Sequence, residues 1–320
     1  MNYKKIVIAG GGVLGSQIAF QTAYSGFEVV ILEPENSFEG TKEKLNKLHD
    51  TYLETIEKMS AVEPTEWARG IASVQLFNKE ECINKVENAM NSISLISSQE
   101  EALKDADLLI ESITELFDVK VNFYKEISTK LDEKTVVVTN SSTMLPSKLA
   151  KSTGRPEKYL AMHFANHIWK NNIAEIMGHD ETDEKYFNEI VAFAEAIHMI
   201  PLEARNEKSG YLLNSMLVPF LLSAMDLLAN GISDAETIDK AWTLGTGAPN
   251  GTFEIIDVVG LETAKNIVIQ YQKVPNIFDP LLKKMMLPYN FDGMLRILNK
   301  YIEEGKTGRA AGEGFYKYDK

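Results

Sequence analysis

The sequence contains a single cysteine, Cys82, among 320 residues, which excludes an internal disulfide. One cysteine suits a reducing compartment, so we expect a buried or inert thiol in a cytoplasmic protein. Long hydrophobic runs are also missing: residues 216–225, among the most apolar in the chain, fall far short of a bilayer crossing. The apolar run near the N-terminus ends in three glycines and has no cleavage site, which argues against a signal peptide.

Positive charge is scarce relative to negative charge. Lysine and arginine total 33 against 46 aspartates and glutamates, giving a formal net charge of −13. The electrostatic field of this negative charge repels phosphate and argues against non-specific binding to nucleic acid or to an anionic membrane. Any phosphate-bearing ligand must therefore be held by local contacts. The five histidines and one cysteine have no zinc-type spacing, so we predict no metal site.

The first half of the chain alternates short β-rich runs with amphipathic helical stretches, which is typical of a parallel sheet covered by helices. The predicted strands are residues 4–9, 28–32, 93–97, 107–112, 135–139 and 159–164. After residue 198 the chain becomes polar and linker-like, and then helical. We predict a doubly wound α/β domain at 1–203 and an all-helical domain at 204–320. An all-helical domain with apolar faces left over after packing is expected to form a homodimer.

Residues 34–91 form an unusually long segment between the second and third strands. The segment is rich in lysine and glutamate and is predicted to be helical. Two interpretations remain open: a solvated helix pair, and a lid or platform for the phosphates of a substrate.

Three glycines follow the first strand in a G-x-G-x-x-G spacing and open a helix: Gly10, Gly12 and Gly15. The first permits a tight turn, the second lets a pyrophosphate approach the backbone, and the third lets helix and strand pack closely. The free N–H groups around Val13 and Leu14 suit an anion. This context favours a Rossmann-type dinucleotide site over a plain turn.

Charged residues after the second and fourth strands extend this interpretation. Glu33 ends the second strand, where a carboxylate can accept the ribose hydroxyls and would repel a 2′-phosphate, so NAD is favoured over NADP. Glu115 and Lys120 follow the fourth strand. They are interpreted either as a surface ion pair or as ribose contacts at the carboxyl edge of the sheet.

His163 and Glu175 lie symmetrically about Trp169 in two apolar runs, residues 160–164 and 173–177. If these runs pair as an antiparallel hairpin, the two side chains face each other. A carboxylate on one imidazole nitrogen orients the ring and makes the other nitrogen a proton acceptor. The alternative is a histidine that is merely satisfied within the core, although a glutamate in an apolar strand demands a partner.

Several further stretches occur in the order of one family. These are NSST, HFAN, SGYLLNSMLVPFLLSAMDLLANG, GTGAPNGTFEIIDVVGLET and the terminal GEGFYKY. Together with the glycine spacing they resemble the L-3-hydroxyacyl-CoA dehydrogenases over nearly the whole chain. Within that family, the layout of the chain is most similar to that of the short-chain 3-hydroxybutyryl-CoA members. The resemblance implies NAD-dependent oxidation of a 3-hydroxyacyl-CoA, or its reverse. It implies a catalytic set of Ser142, His163, Glu175 and Asn214. It also implies cofactor contacts at Glu115, Lys120 and Asn166.

The sequence departs from that family around the substrate. The loop after HF is ANHIWKNN where typical members are proline-rich, and the family's CoA-contacting serine and lysine have no counterpart that we can identify in 34–91. The substrate is left open between an acyl-CoA and a small non-CoA hydroxy acid or carnitine-like molecule. Trp169 either forms a wall for a cationic ligand or packs in the core. A non-catalytic NAD-binding protein is the remaining alternative.

Overall fold

Short runs dominated by valine, isoleucine and leucine form one eight-stranded sheet. The computed structural model describes residues 2–61, 67–272 and 289–318. The strands are β1 Lys5–Ala9, β2 Glu28–Leu32, β3 Ile93–Ile96, β4 Leu108–Glu111, β5 Val136–Thr139, β6 Tyr159–Phe164, β7 Ile173–Met177 and β8 Ile200–Ala204. The sequence places the first six strands within one or two residues of these bounds.

The sheet has the order β3-β2-β1-β4-β5-β6-β7-β8. Strands β1 to β6 pair in parallel, β7 is antiparallel to β6, and β8 is parallel to β7. The order reverses between β1 and β4, where doubly wound folds bind ligands. Strands β4, β5 and β6 are wholly buried because helices cover both faces of the sheet. The predicted fold class is confirmed.

Strand β8 corrects the sequence interpretation. Leu202 and Glu203, assigned to a linker, are part of the sheet. The strand lies at the sheet edge, contains Pro201 and is only partly buried, so its sequence lacks an apolar run. The chain divides further on, into compact units Met1–Leu212 and Leu213–Lys320.

Seven α-helices accompany the sheet in the described part of the first unit. They are α1 Val13–Tyr24, α2 Phe38–Met59, α3 Lys79–Asn91, α4 Gln99–Leu103, α5 Phe117–Ile127, α6 Pro146–Leu149 and α7 Glu184–Ala196. Three begin at a side chain that accepts a hydrogen bond from a free N–H group: Asn78 for α3, Ser98 for α4 and Asp183 for α7. Such caps satisfy donors that the helix itself leaves open.

The long segment between β2 and β3 has one solvated and one buried face. Its helix α2 buries Leu45, Tyr52 and Ile56 in the core. The Tyr52 ring lies 4.8 Å from that of Phe20, and its hydroxyl donates to Oε1 of Gln21 over 2.6 Å. The described part of this segment is therefore built into the first unit, unlike a freely solvated helix pair.

The second unit is helical in its described residues. Its helices are α8 Leu213–Ala229, α9 Ala235–Thr246, α10 Thr252–Val259, α11 Leu261–Gln272 and α12 Phe291–Glu303. Their apolar faces enclose a separate core that includes Phe253, Met294 and Leu298. Two buried carboxylates attach the C-terminal segment: Asp239 accepts from the Tyr316 hydroxyl, and Asp257 from backbone N–H groups and the Tyr318 hydroxyl. None of the helices described is long and apolar enough to cross a membrane.

Candidate active site

The three glycines after β1 have different structural roles. Gly10 has φ +102°, and a Cβ there would lie 2.7 Å from the carbonyl oxygen of Ser112. A Cβ on Gly15 would lie 2.0 Å from the carbonyl oxygen of Gly10, whereas one on Gly12 meets nothing within 4 Å. Gly10 and Gly15 are thus required by packing. Gly12 leaves open space in front of the N-terminus of α1, as an approaching pyrophosphate requires.

A cavity of about 240 Å³ opens beside these glycines, where the strand order reverses. The sequence-predicted residues in its wall are Gly12, Val13, Leu14, Gly15, Glu115, Lys120 and Ser142. Ser112 and Asn140, at the ends of β4 and β5, complete the polar lining. The carboxyl ends of the parallel strands thereby bring most of the predicted cofactor residues and one predicted catalytic residue to one place.

Glu33 has an unsatisfied oxygen that fits a dinucleotide. The side chain is 8% exposed, and its Oε2 accepts a hydrogen bond from the N–H of Gly11 over 3.1 Å. Its Oε1 is buried and has no hydrogen-bond partner among the described residues. A buried carboxylate oxygen without a donor is costly, and a ribose hydroxyl would supply one. The residues present therefore fit an NAD molecule.

Lys120 is buried, which excludes a surface ion pair with Glu115. Its side chain is 1% exposed, and its Nζ lies 2.5 Å from Oε1 of Glu111 and 3.3 Å from Oε2 of Glu115. Glu111, which is fully buried, also accepts hydrogen bonds from the hydroxyls of Tyr124 and Thr139. Sequence reasoning missed Glu111 as the main partner, although a glutamate ending an apolar strand was a signal that a buried cation faces it.

Glu115 anchors the loop that follows β5. Its Oε1 accepts hydrogen bonds from the hydroxyls of Ser141 and Thr143 and from the N–H of Thr143. Burial alone would raise the pKa of Glu115, but the Ser141 hydrogen bond, the Lys120 charge and the Thr143 hydrogen bonds outweigh it, so the pKa is lowered. Glu115 is thus an anion that fixes the loop carrying Ser142.

His163 and Glu175 face each other across the β6–β7 hairpin, as predicted. They are paired in register, and Nδ1 of His163 lies 2.9 Å from Oε2 of Glu175. A carboxylate only accepts, so Nδ1–H is the donor, and in the neutral imidazole Nε2 then keeps its lone pair. The other ring nitrogen, Nε2, lies 3.1 Å from Oγ of Ser142, in the wall of the cavity. The histidine is 6% exposed and the glutamate 1%. This arrangement can accept and return a proton beside the cofactor cavity.

Two family models together match almost the whole chain. The 3-hydroxyacyl-CoA dehydrogenase NAD-binding domain matches residues 5–207, and the 3-hydroxyacyl-CoA dehydrogenase C-terminal domain matches residues 210–318. The chain belongs to the 3-hydroxyacyl-CoA dehydrogenase family. The resemblance found in the sequence is confirmed. So is the prediction of NAD as the cofactor, because the first unit carries the family's NAD-binding domain.

Relatives that match this chain over most of their own length are named as dehydrogenases of this family. The human mitochondrial hydroxyacyl-coenzyme A dehydrogenase is 29% identical over 98% of this chain and 91% of the human protein. A Clostridioides difficile 3-hydroxybutyryl-CoA dehydrogenase is 26% identical over 99% of this chain and all of its own. Among solved structures, a diketoreductase that carries out substrate-directed dual catalysis of dicarbonyl compounds is 40% identical, with a TM-score of 0.82 over 99% of this chain and 100% of that one.

Two further residues are implied by the family resemblance. Asn166 is exposed in the turn after β6, and its carbonyl accepts from the Asn171 side chain over 2.8 Å. Asn214 is half-buried near the start of α8 in the second unit. Their functional assignments stay predictions.

Trp169 is a core residue of this dehydrogenase-family protein. Its side chain is 7% exposed, and its ring packs 5.6 Å from that of Tyr52. The suggestion that it forms a wall for a cationic ligand is wrong, because the ring face is occupied by packing. The pattern HIW in a polar loop gave no indication that the loop folds back onto the core.

Proposed function

We propose that the protein catalyses the NAD-dependent interconversion of a short-chain L-3-hydroxyacyl-CoA, such as 3-hydroxybutyryl-CoA, and the 3-ketoacyl-CoA. One observation carries the proposal: the imidazole of His163 is bonded to a buried carboxylate on one side and faces the cavity wall on the other. That is the geometry of a general base whose tautomer is fixed. The family membership supplies the reaction class.

In the oxidative direction, Nε2 of His163 takes the proton of the substrate hydroxyl. Glu175 holds Nδ1–H and stabilises the imidazolium that forms. Ser142 donates a hydrogen bond to the substrate oxygen and keeps it in line with Nε2, with Asn214 assigned a second hydrogen bond to the substrate. NAD, when bound, would supply the hydride acceptor. In the reductive direction the imidazolium returns the proton.

The cofactor contacts are proposed from the same cavity. The glycine loop and the N–H groups at Val13 and Leu14 would bind the pyrophosphate. Glu33 would accept the adenosine ribose hydroxyls with its unsatisfied oxygen. Lys120 and Glu115 would contact the nicotinamide half, with Asn166 as a further contact.

His163→Gln tests the catalytic assignment. The variant keeps a polar side chain of similar reach but loses the proton acceptor. NADH affinity, measured by fluorescence titration, should be unchanged, while acetoacetyl-CoA reduction, followed by NADH absorbance, should be largely lost. His49→Gln is the matched control, because His49 is a half-buried histidine of α2 that does not line the cavity, and this variant should keep full turnover. Loss of NADH binding with preserved turnover per bound enzyme would contradict the assignment.

A second candidate is reduction of a small dicarbonyl compound that carries no CoA. It is favoured by the 40% identity to a diketoreductase, compared with 29% and 26% to the relatives named for CoA substrates. The proposed proton relay serves both substrates, because each presents a carbonyl that becomes a hydroxyl. The two candidate functions are separated by comparing the rates with acetoacetyl-CoA, free acetoacetate, pentane-2,4-dione, 3-hydroxybutyrate, carnitine and gulonate. A preference for acetoacetyl-CoA supports the first, and a preference for the free dicarbonyls supports the second.

Assembly as a homodimer through the helical unit is part of the proposal. Several apolar side chains of that unit are exposed, including Met216 at 67%, Ile232 at 69% and Leu244 at 83%. Leu244→Glu should shift the protein toward monomer in light scattering. Leu76→Glu, at a position 79% exposed in the first unit, should leave the mass unchanged. Cytoplasmic location stays a prediction, and the human relative is named as mitochondrial.

A further inference from the structure

The segment Lys208–Leu212, here called the clasp segment, contacts the proposed proton relay at two points. The ring of Tyr211 stacks on the imidazole of His163, with centroids 4.7 Å apart and planes 15° apart. The next residue, Leu212, donates its N–H to Oε1 of Glu175 over 2.9 Å. One short stretch of chain thus covers the face of the imidazole and holds the carboxylate behind it.

The clasp segment also holds the loop that carries Ser142. The Ser209 hydroxyl donates to the carbonyl oxygen of Thr143 over 2.8 Å, and the Tyr211 hydroxyl donates to that of Ser141 over 2.7 Å. Burial raises the pKa of the Tyr211 hydroxyl well above its ordinary range, so it remains a donor. The two carbonyls lie on either side of Ser142, so its backbone is fixed in both directions.

The backbone of the clasp segment has an unusual conformation at this contact. Gly210 has φ +82° and Tyr211 has φ +51°, in the left-handed region that side chains other than glycine rarely adopt. Tyr211 is 1% exposed and packs against Ala161 and Met177. Strain of this kind persists only where surrounding contacts enforce it, and it is concentrated at functional sites.

We propose that Tyr211 is a positioning residue for the proton relay, with its ring fixing the plane of the His163 imidazole. The inference rests on the function proposed above and deepens it. Two hydrogen bonds along the edges of an imidazole still allow the ring to tilt about the line that joins them. A ring packed on one face removes that freedom. Such a tilt leaves Nε2 in place but turns its lone pair out of line with the substrate hydroxyl, and a loss of alignment comparable to a misplacement of about 1 Å costs about 100-fold in rate.

Tyr211→Leu and Tyr211→Phe separate the ring from the hydroxyl. Leucine removes the planar face and should lower kcat by about 10- to 100-fold with the KM for NADH unchanged. Phenylalanine keeps the face and should restore most of that loss. Tyr24→Phe is the matched control, because Tyr24 is also 1% exposed and donates to a backbone carbonyl, that of Ile71. It should change only the melting temperature. Tyr211→Met replaces the leucine variant if that one does not fold.

NMR spectra of protein with isotope-labelled histidine give a readout that needs no substrate. Ring current from Tyr211 should shift the His163 ring protons upfield in the wild type and in Tyr211→Phe, and this shift should vanish in the leucine or methionine variant. Unchanged His163 signals and full kcat in a folded leucine variant would overturn the proposal, as would a phenylalanine variant as slow as leucine. A wild type inactive on every substrate would defeat the proposed function, and the NMR comparison would still decide the positioning role.

Discussion

Glu175→Gln removes the negative charge beside His163 while keeping the size of the side chain. The carboxylate is 1% exposed, with Oε2 at 2.9 Å from Nδ1 of His163 and Oε1 accepting from the N–H of Leu212. Glutamine can still accept from Leu212, but it presents an NH₂ group to Nδ1. The imidazole then prefers the tautomer with its proton on Nε2. That tautomer cannot accept a proton from the substrate.

The size of the expected loss follows from the charges. When His163 is protonated, the imidazolium and carboxylate charges lie about 4 Å apart, which gives about 4 kcal/mol at an effective dielectric constant of about 20. Since about 1.4 kcal/mol in the barrier is tenfold in rate, kcat should fall by about 1000-fold. The tautomer change adds to this loss, and the equivalent substitution in a serine protease triad lowers kcat by about 10,000-fold.

The assay is reduction of acetoacetyl-CoA followed by NADH absorbance, with the NADH Kd measured in parallel. The Kd should be unchanged, because Glu175 does not line the cofactor cavity. Glu203→Gln is the control, since Glu203 lies on the neighbouring strand β8 and is exposed. If the Glu175→Gln enzyme kept more than about a tenth of wild-type kcat, a loss below about 1.4 kcal/mol, the electrostatic reasoning would be refuted.

The remaining predictions concern the cofactor cradle and the helical unit. Gly12→Ala should weaken NADH binding and leave the melting temperature unchanged. Gly15→Ala should lower the melting temperature, because its Cβ would lie 2.0 Å from a backbone oxygen. If the two variants had equal effects on both measurements, the distinction between these glycines would be contradicted. Glu33→Gln should weaken NADH binding by about 10- to 100-fold, the equivalent of one charged hydrogen bond of about 1.5–3 kcal/mol, and should reduce the preference for NADH over NADPH in fluorescence titrations. Burial raises the pKa of Asp257, so the folded state binds its proton more tightly than the unfolded state does. Asp257 therefore stabilises the folded state fully below its pKa in the unfolded chain, about 3.9, and this stabilisation is lost as the pH rises through its pKa in the folded state. In urea unfolding, the free energy of unfolding of the wild type should fall relative to that of Asp257→Asn across that pH range.

The hairpin that carries the proposed proton relay could be predicted because its geometry is encoded locally. Two apolar runs of strand length are joined by a polar loop, and the pairing of His163 with Glu175 follows from their equal distance from Trp169. The glycine loop was predictable for a similar reason, since residues without side chains allow a tight turn and close packing of the backbone. What these local patterns could not show was the fate of Trp169, because its burial depends on the distant residue Tyr52.

Contacts made by chain segments that return from elsewhere were missed. Lys120 was paired with Glu115, five positions away, whereas its nearer partner is Glu111 at the end of β4. The stacking of Tyr211 on His163 was not predicted from the sequence. The apolar strand before Glu111 signals a buried cation, but neither partner can be identified from a periodicity or a spacing, because each contact depends on how two elements meet in space.

The acidic composition and the dinucleotide site are compatible because the carboxylates of the site are already occupied. Glu111 and Glu115 share Lys120, so this group carries a net negative charge and does not attract phosphate. We therefore propose that the pyrophosphate is recognised by the backbone N–H groups at the start of α1, whose local contacts offset the repulsion from the net charge of −13. Glu175 has donors on both oxygens, and among the described residues Glu33 keeps a buried oxygen without one. Of these carboxylates, Glu33 is thus the one that we propose to select the cofactor, whereas Glu115 and Glu175 hold the Ser142 loop and His163, which are proposed to act on the substrate.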